Sequence, residues 1–118
     1  MKTACILLAV AALGGLTMAG IRFAGKPQPP VWLAMLHGFL AAAAVTLLLY
    51  AYATVGLPEL ASWALLLFLL AAAGGAFLNL NFHWKMLPLP MGLIAGHASV
   101  AVVGFVLLAA ATWSAMHP

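Results

Sequence analysis

The sequence predicts an all-α integral membrane protein, an antiparallel bundle of four transmembrane helices made of two tandem helical hairpins. Of its 118 residues 68% are apolar, four are Lys or Arg and one is Glu. A soluble domain has about a quarter of its residues charged, so most of this surface must face lipid. Four charge-free stretches, at about 3–21, 31–57, 60–82 and 87–116, are each long enough to cross about 30 Å of hydrocarbon as a helix.

Proline and glycine separate these stretches. The breaks are residues 25–30, 56–59 and 85–90. Proline lacks the N–H that a helix interior needs, and glycine tolerates the backbone angles of tight turns. We therefore expect three short links within one membrane domain that covers residues 1–118.

The charges predict how the chain crosses the membrane. Arg22 and Lys26 lie at the first link and Lys85 lies at the third, whereas the second link carries only Glu59. Positive residues near the ends of spans favour the cytoplasmic side. We therefore expect both termini outside, in a multi-pass protein of a bacterial inner membrane.

An internal repeat is visible when the chain is shifted by 60 residues. Eleven of the 42 positions from 7 to 48 are then identical, without a gap. The matches pair Gly14-Gly15 with Gly74-Gly75, Pro30 with Pro90, and His37 with His97. We therefore predict two hairpins, at about 1–58 and 59–118, related by a pseudo-two-fold axis along the membrane normal.

The repeat places His37 and His97 at one depth, roughly 9–10 Å inside the hydrocarbon edge at 1.5 Å per helical residue. An imidazole in lipid usually faces the bundle interior and has a partner there. Two neutral imidazoles that face each other have the geometry to ligate one metal ion, and heme iron takes one axial nitrogen from each face. The pair therefore predicts one heme b, with His37 and His97 as its ligands.

The surroundings of the pair suit a flat guest. Small residues leave room for the edge of a macrocycle, as they let helices approach each other. Those near the histidines are Ala41, Ala44, Ala101 and Gly104, and those on the other two helices are Gly14, Gly15, Gly74 and Gly75. Arg22, Lys26 and Lys85 lie on the same side of the membrane and would balance the charge of the heme propionates.

This pattern resembles the four-helix heme-binding core of cytochrome b in the quinol-oxidising respiratory complexes. In that family glycines on the first and third helices make room for heme, and histidines on the second and fourth ligate it. The resemblance is architectural: it implies that Gly14, Gly15, Gly74 and Gly75 are spacing glycines. The family carries two histidines on each ligating helix and two hemes, whereas this chain has one interior pair. We therefore expect one heme and one-electron transfer, linked to a quinone, or heme handling.

Several other readings stay open. As alternatives to heme ligation, the histidine pair would hydrogen-bond to neighbouring helices, ligate a non-heme metal such as copper, or relay protons. His83 is a separate candidate for a contact with a heme propionate or a quinone headgroup. The chain would otherwise be a heme-free structural or accessory subunit of a larger membrane complex, or a homo-oligomer. The small multidrug-resistance exporters have a similar length but depend on a membrane-embedded glutamate. The only acidic residue here, Glu59, is predicted to lie in a turn, which argues against that class.

Some classes are excluded. Cys5 is the only cysteine, so the chain has neither an internal disulfide nor a multi-thiolate metal site. The formal charge of +3 is spread along the chain and forms no nucleic-acid patch. No nucleophile and base stand together in the pattern, which argues against a stand-alone hydrolytic enzyme.

Overall fold

The structure, a computed structural model, describes residues 1–118 and is entirely helical. All four long helices are long and apolar enough to cross a membrane, with mean hydropathies between 2.0 and 2.2. This confirms the predicted class, an all-helical chain with four potential membrane spans. The helices are α1 (Lys2–Phe23), α2 (Val31–Thr54), α3 (Glu59–Leu78), which continues as a π-helical turn (Asn79–His83), and α4 (Met91–Met116).

Proline and glycine set the helix ends. Pro30, Pro58 and Pro90 immediately precede α2, α3 and α4, where the missing N–H has no helical partner to lose. Gly25 and Gly56 follow α1 and α2 with φ values of +107° and +81°, which residues with a β-carbon rarely adopt. The three prolines therefore mark where helices begin and the two glycines mark where helices end, which keeps the links short.

The fourth helix begins directly after the predicted link at residues 85–90, and therefore later than its apolar stretch. The apolar stretch starts at residue 87, but the helix starts at Met91, because Pro88 and Pro90 hold the preceding residues extended. The third stretch also ends differently, since its last turn is π-helical instead of α-helical. Composition identified the apolar stretches, and proline chemistry decided where a helix begins within them.

The closely packed core lies in the half of the bundle that holds the chain termini. Leu48 and Leu108, which correspond in the repeat, are both fully buried. The core comprises Ala4, Leu8, Ala44, Val45, Leu48, Ala61, Ala64, Leu65, Phe68, Leu108 and Ala111. Toward the links the packing is looser, because α2 has no buried residue between Leu33 and Ala44 and α4 has none before Gly104.

The outer surface is apolar. α1 packs mainly on α2 and α3 mainly on α4, in a bundle of 46 × 23 × 22 Å. Large side chains such as Leu13, Phe39, Leu70 and Val106 are exposed on it. An exposed apolar surface of this extent would aggregate in water and matches the hydrocarbon of a bilayer.

Candidate functional site

The fold brings the two interior histidines together. His37 lies six residues after the start of α2 at Val31, and His97 lies six residues after the start of α4 at Met91. Their ring centres are 6.2 Å apart, and the ring planes make an angle of 74°. Both side chains are half-buried in the loosely packed half of the bundle.

A hydrogen bond fixes the His37 ring. Its Nδ1 lies 2.7 Å from the carbonyl oxygen of Ala11 on α1. A carbonyl only accepts, so Nδ1 carries the proton and Nε2 carries the lone pair. Histidines that ligate metals usually donate their other ring N–H to such a carbonyl, which sets the tautomer and the ring orientation. His37 is therefore held in the state that a metal ligand requires.

His97 is less constrained. Its Nδ1 is buried and makes no hydrogen bond of normal distance and angle, although the ring interacts with the backbone of Ala71, the counterpart of Ala11. An unsatisfied buried polar atom costs about 1–3 kcal/mol and calls for an explanation in a native structure. The Nε2 atoms of His37 and His97 also have no hydrogen-bond partner, but neither atom is fully enclosed. Both of these nitrogens are therefore free to bind a guest.

Two of the predicted glycines make room for the imidazoles themselves. A β-carbon built on Gly15 would lie 2.9 Å from Cε1 of His37, and one built on Gly75 would lie 3.1 Å from Cε1 of His97. Gly14 and Gly74 are looser, with nearest approaches of 3.8 and 3.7 Å to the same two side chains. The structure has the histidine rings against Gly15 and Gly75, and the position of the glycines beside a heme edge stays a prediction.

The small residues of α2 and α4 divide into two groups. Ala41 and Ala101, one turn beyond each histidine, are half-buried. Ala44 is fully buried in the core, and a β-carbon on Gly104 would lie 3.2 Å from the ring of Phe68. Ala44 and Gly104 therefore lie in closely packed contacts between helices, and their place beside a guest stays a prediction.

A groove opens beside His97 between α3 and α4, with a volume of about 290 Å³. We call it the α3–α4 groove. Its walls include Leu70, Gly74 and Phe77 from α3 and Gly92, Gly96 and His97 from α4. Sequence reasoning missed Gly92 and Gly96, although their spacing of four residues on a membrane helix is a recognisable signal for close approach.

The three cations do not converge on the histidines. Nε of Arg22 donates to the carbonyl oxygen of Leu89 at 2.9 Å. Lys26 lines a separate groove of about 380 Å³ at the first link, and Lys85 is exposed on the third link. All three lie at the end of the bundle nearer the histidines, and Arg22 already has a backbone partner.

Hydrogen bonds join the first and third links across that end. His83 is buried, and its Nε2 donates to the carbonyl oxygen of Pro29 at 3.0 Å. The amide of Gln28 donates to the carbonyl oxygen of Leu87 at 2.9 Å, and the N–H of Leu89 donates to Pro27 at 3.2 Å. His83 therefore holds the two links together, a role that its position at the end of a span did not reveal.

The spacing of the histidines suits a shared metal ion. Two imidazoles on opposite sides of one ion have ring centres roughly 6.4 Å apart, from metal–nitrogen bonds of about 2.0–2.1 Å plus the distance from each nitrogen to its ring centre. The observed 6.2 Å is close to this value. No three His, Cys, Asp or Glu side chains cluster in the structure, so this pair offers two candidate ligands, whereas a zinc or copper centre takes three or four from the protein.

A donor set of two imidazoles in an apolar bundle therefore fits a metal that brings its own equatorial ligands. Comparisons of the chain with protein-family models, curated proteins and solved structures find no match. The assignment of a function consequently depends on the geometry of the His37 and His97 pair.

Proposed function

We propose that this chain is a small b-type membrane cytochrome that binds one heme through His37 and His97. The observation that carries the proposal is the pair of imidazoles 6.2 Å apart with both Nε2 atoms free of hydrogen bonds. The fixed tautomer of His37 supports it, because that tautomer presents the lone pair of Nε2.

We further propose that the bundle consists of two duplicated, antiparallel hairpins related by a pseudo-two-fold axis along the membrane normal. Corresponding residues make corresponding contacts, since Gly15 lies against His37 and Gly75 against His97. Leu48 and Leu108 are both fully buried. Under this symmetry the two residues that would hold the heme come from equivalent positions on α2 and α4.

The protein residues have distinct tasks in this proposal. His37 and His97 would hold the iron, and the hydrogen bond from His37 to Ala11 would keep the ring in its ligating tautomer. The helices exclude water, while Lys26 and Lys85 supply positive charge at the nearer end of the bundle. When bound, heme supplies reversible one-electron chemistry, whose potential the ligands and the apolar surroundings tune.

The proposed setting is a bacterial inner membrane, with the first and third links in the cytoplasm and both termini outside. Arg22, Lys26 and Lys85 support this orientation through the preference of positive residues for the cytoplasmic side. Electrons would be exchanged with a quinone or with a larger membrane complex. Labelling a Lys85→Cys variant from either side, in a Cys5→Ser background, tests the orientation.

The heme proposal is tested by spectroscopy on purified protein supplied with heme. We expect a Soret band and the sharp visible bands of a six-coordinate, bis-histidine heme on reduction. His37→Ala and His97→Ala should each abolish the six-coordinate spectrum, because each removes one axial nitrogen. His117→Ala is the control, since His117 stacks on Trp113 near the C-terminus and should leave the spectrum unchanged.

The absence of a Soret band in the wild-type protein would overturn the proposal and favour a heme-free accessory subunit. Retention of the six-coordinate spectrum in either interior variant would show that the ligands are wrongly assigned.

A further inference from the structure

The α3–α4 groove is a place where the two hairpins differ. Gly92 and Gly96, on the groove wall, are exposed, and a β-carbon on either would meet nothing within 4 Å. The repeat places Trp32 and Leu36 at the corresponding positions of the first hairpin. One hairpin therefore carries two bulky side chains where the other carries open backbone.

Two further differences lie on the same side of the molecule. α3 ends in a π-helical turn, Asn79–His83, directly after the residues that wall the groove, whereas α1 stays α-helical to Phe23. π-helical turns frequently occur at functional sites. His97 on the groove wall also has an unpartnered Nδ1, while His37 has its carbonyl partner. The second hairpin is thus the one with the more open surface and with the histidine whose Nδ1 lacks a hydrogen bond.

We propose that the α3–α4 groove is the lateral entrance through which the bundle takes up heme from the lipid phase, an inference that rests on the proposed function. The groove has about 290 Å³ of space, apolar walls and a single histidine as its metal-ligating group. Leu70 and Phe77 are exposed beside it, which opens the groove toward lipid.

The chemistry of the groove selects this guest. An apolar groove in hydrocarbon disfavours any polar molecule whose hydrogen bonds would go unmade. A porphyrin presents broad apolar faces and a metal that accepts a nitrogen lone pair, which His97 offers. On the opposite side, His37 is already held by Ala11, so the second ligand needs no rearrangement of its own hydrogen bond.

The positions of the two histidines predict the order in which they would bind an entering heme. His97 lies on the groove wall and is the first nitrogen donor that a molecule entering from lipid reaches. His37, whose ring centre is 6.2 Å from that of His97, would then provide the second nitrogen. The residues of the groove govern how fast this happens, and the two histidines govern how tightly heme is held.

The test fills the groove with the residues of the first hairpin, as Gly92→Trp and Gly96→Leu. Apo protein in lipid nanodiscs is mixed with hemin in lipid vesicles, and the growth of the Soret band gives the rate of uptake. Transfer of heme to apomyoglobin gives the rate of release. Gly38→Leu is the matched control, because Gly38 adjoins His37, is exposed and has nothing within 4 Å of an added β-carbon.

We expect uptake and release both to slow by about ten-fold or more in the filled variants, the effect of roughly 1.4 kcal/mol of added barrier. The affinity for heme and the absorption spectrum should stay unchanged, because an entrance alters the path and not its end points. The control should load at the wild-type rate. A widened variant, Phe77→Ala, should load faster than wild type, and it keeps the test decisive if a filled variant fails to fold.

Unchanged rates in both the filled and the widened variants would overturn the entrance. A loss of affinity equal to the loss of uptake rate, with release unchanged, would also overturn it, because the glycines would then shape the site itself. A wild-type protein without a six-coordinate spectrum would instead overturn the proposed function, and this inference with it.

Discussion

Gly15 offers a sharp test of the packing around the histidines because Gly14, its neighbour, serves as a control. A β-carbon on Gly15 would lie 2.9 Å from Cε1 of His37, whereas one on Gly14 would come no closer than 3.8 Å to that side chain. The first distance is a clash and the second is ordinary contact. We therefore expect Gly15→Ala to disturb the apo protein and Gly14→Ala to be accepted.

The magnitude follows from what His37 must give up. Its ring is held by a 2.7 Å hydrogen bond to Ala11, worth about 0.5–1.5 kcal/mol. Moving the ring away from a new methyl group sacrifices this bond or forces an unfavourable rotamer, and overpacking typically costs about 1–3 kcal/mol. Replacing glycine by alanine within a helix gains up to about 1 kcal/mol, but this gain is common to both variants and cancels when they are compared.

We therefore expect the free energy of unfolding of Gly15→Ala to lie about 1–3 kcal/mol below that of Gly14→Ala. Reversible unfolding of the apo proteins in mixed detergent micelles, followed by circular dichroism, measures the difference. A double-mutant cycle sharpens the test, since removing the ring in a His37→Ala background should make Gly15→Ala harmless. Equal stabilities of the two glycine variants, or a cycle without coupling, would refute this account of the site.

Other substitutions test the core, the links and the turns. Leu108→Ala, at a fully buried position, should lower the free energy of unfolding by about 2–5 kcal/mol, whereas Val106→Ala on the lipid-facing surface should change it little; equal effects would contradict the assigned core. His83→Ala removes a buried hydrogen bond between the links, so it should lower the free energy of unfolding by about 1–3 kcal/mol and increase proteolysis at the links. Lys85→Ala, at an exposed position on the third link, should leave both quantities unchanged. Gly25→Ala, at φ +107°, should cost about 1–2 kcal/mol in thermal unfolding, and no loss would indicate that the turn adopts another conformation.

Much of the fold was predictable because lipid imposes simple rules. Apolar length predicted four potential spans, and proline and glycine predicted the links, since neither residue suits a helix interior. At residues 87–90 the two signals differed, because hydropathy extended the apolar stretch to residue 87 whereas Pro88 and Pro90 assigned these residues to the link, and the structure follows the prolines. Hydropathy measures which solvent a segment prefers and is silent about the backbone angles that proline imposes.

The candidate site was only partly predictable. The repeat of 60 residues predicted that His37 and His97 would share a depth, and the structure brings their rings to 6.2 Å. Whether they ligate heme stays a prediction. The pattern did not distinguish Ala44, which fills the core, from Ala41, because both are small residues on the same helix face. Which of the two alanines is buried depends on the side chains that the other helices place against it.

The sequence by itself determined the class of this protein, an all-helical chain with four potential membrane spans. The apolar composition calls for lipid around the helices, and the 60-residue match predicts two equivalent histidines. Only the tertiary structure decided that Gly15 makes room for an imidazole, that Nδ1 of His37 has a partner while Nδ1 of His97 has none, and that a groove opens on one hairpin. These features depend on distances between side chains from different helices, which a match between two parts of the sequence does not determine.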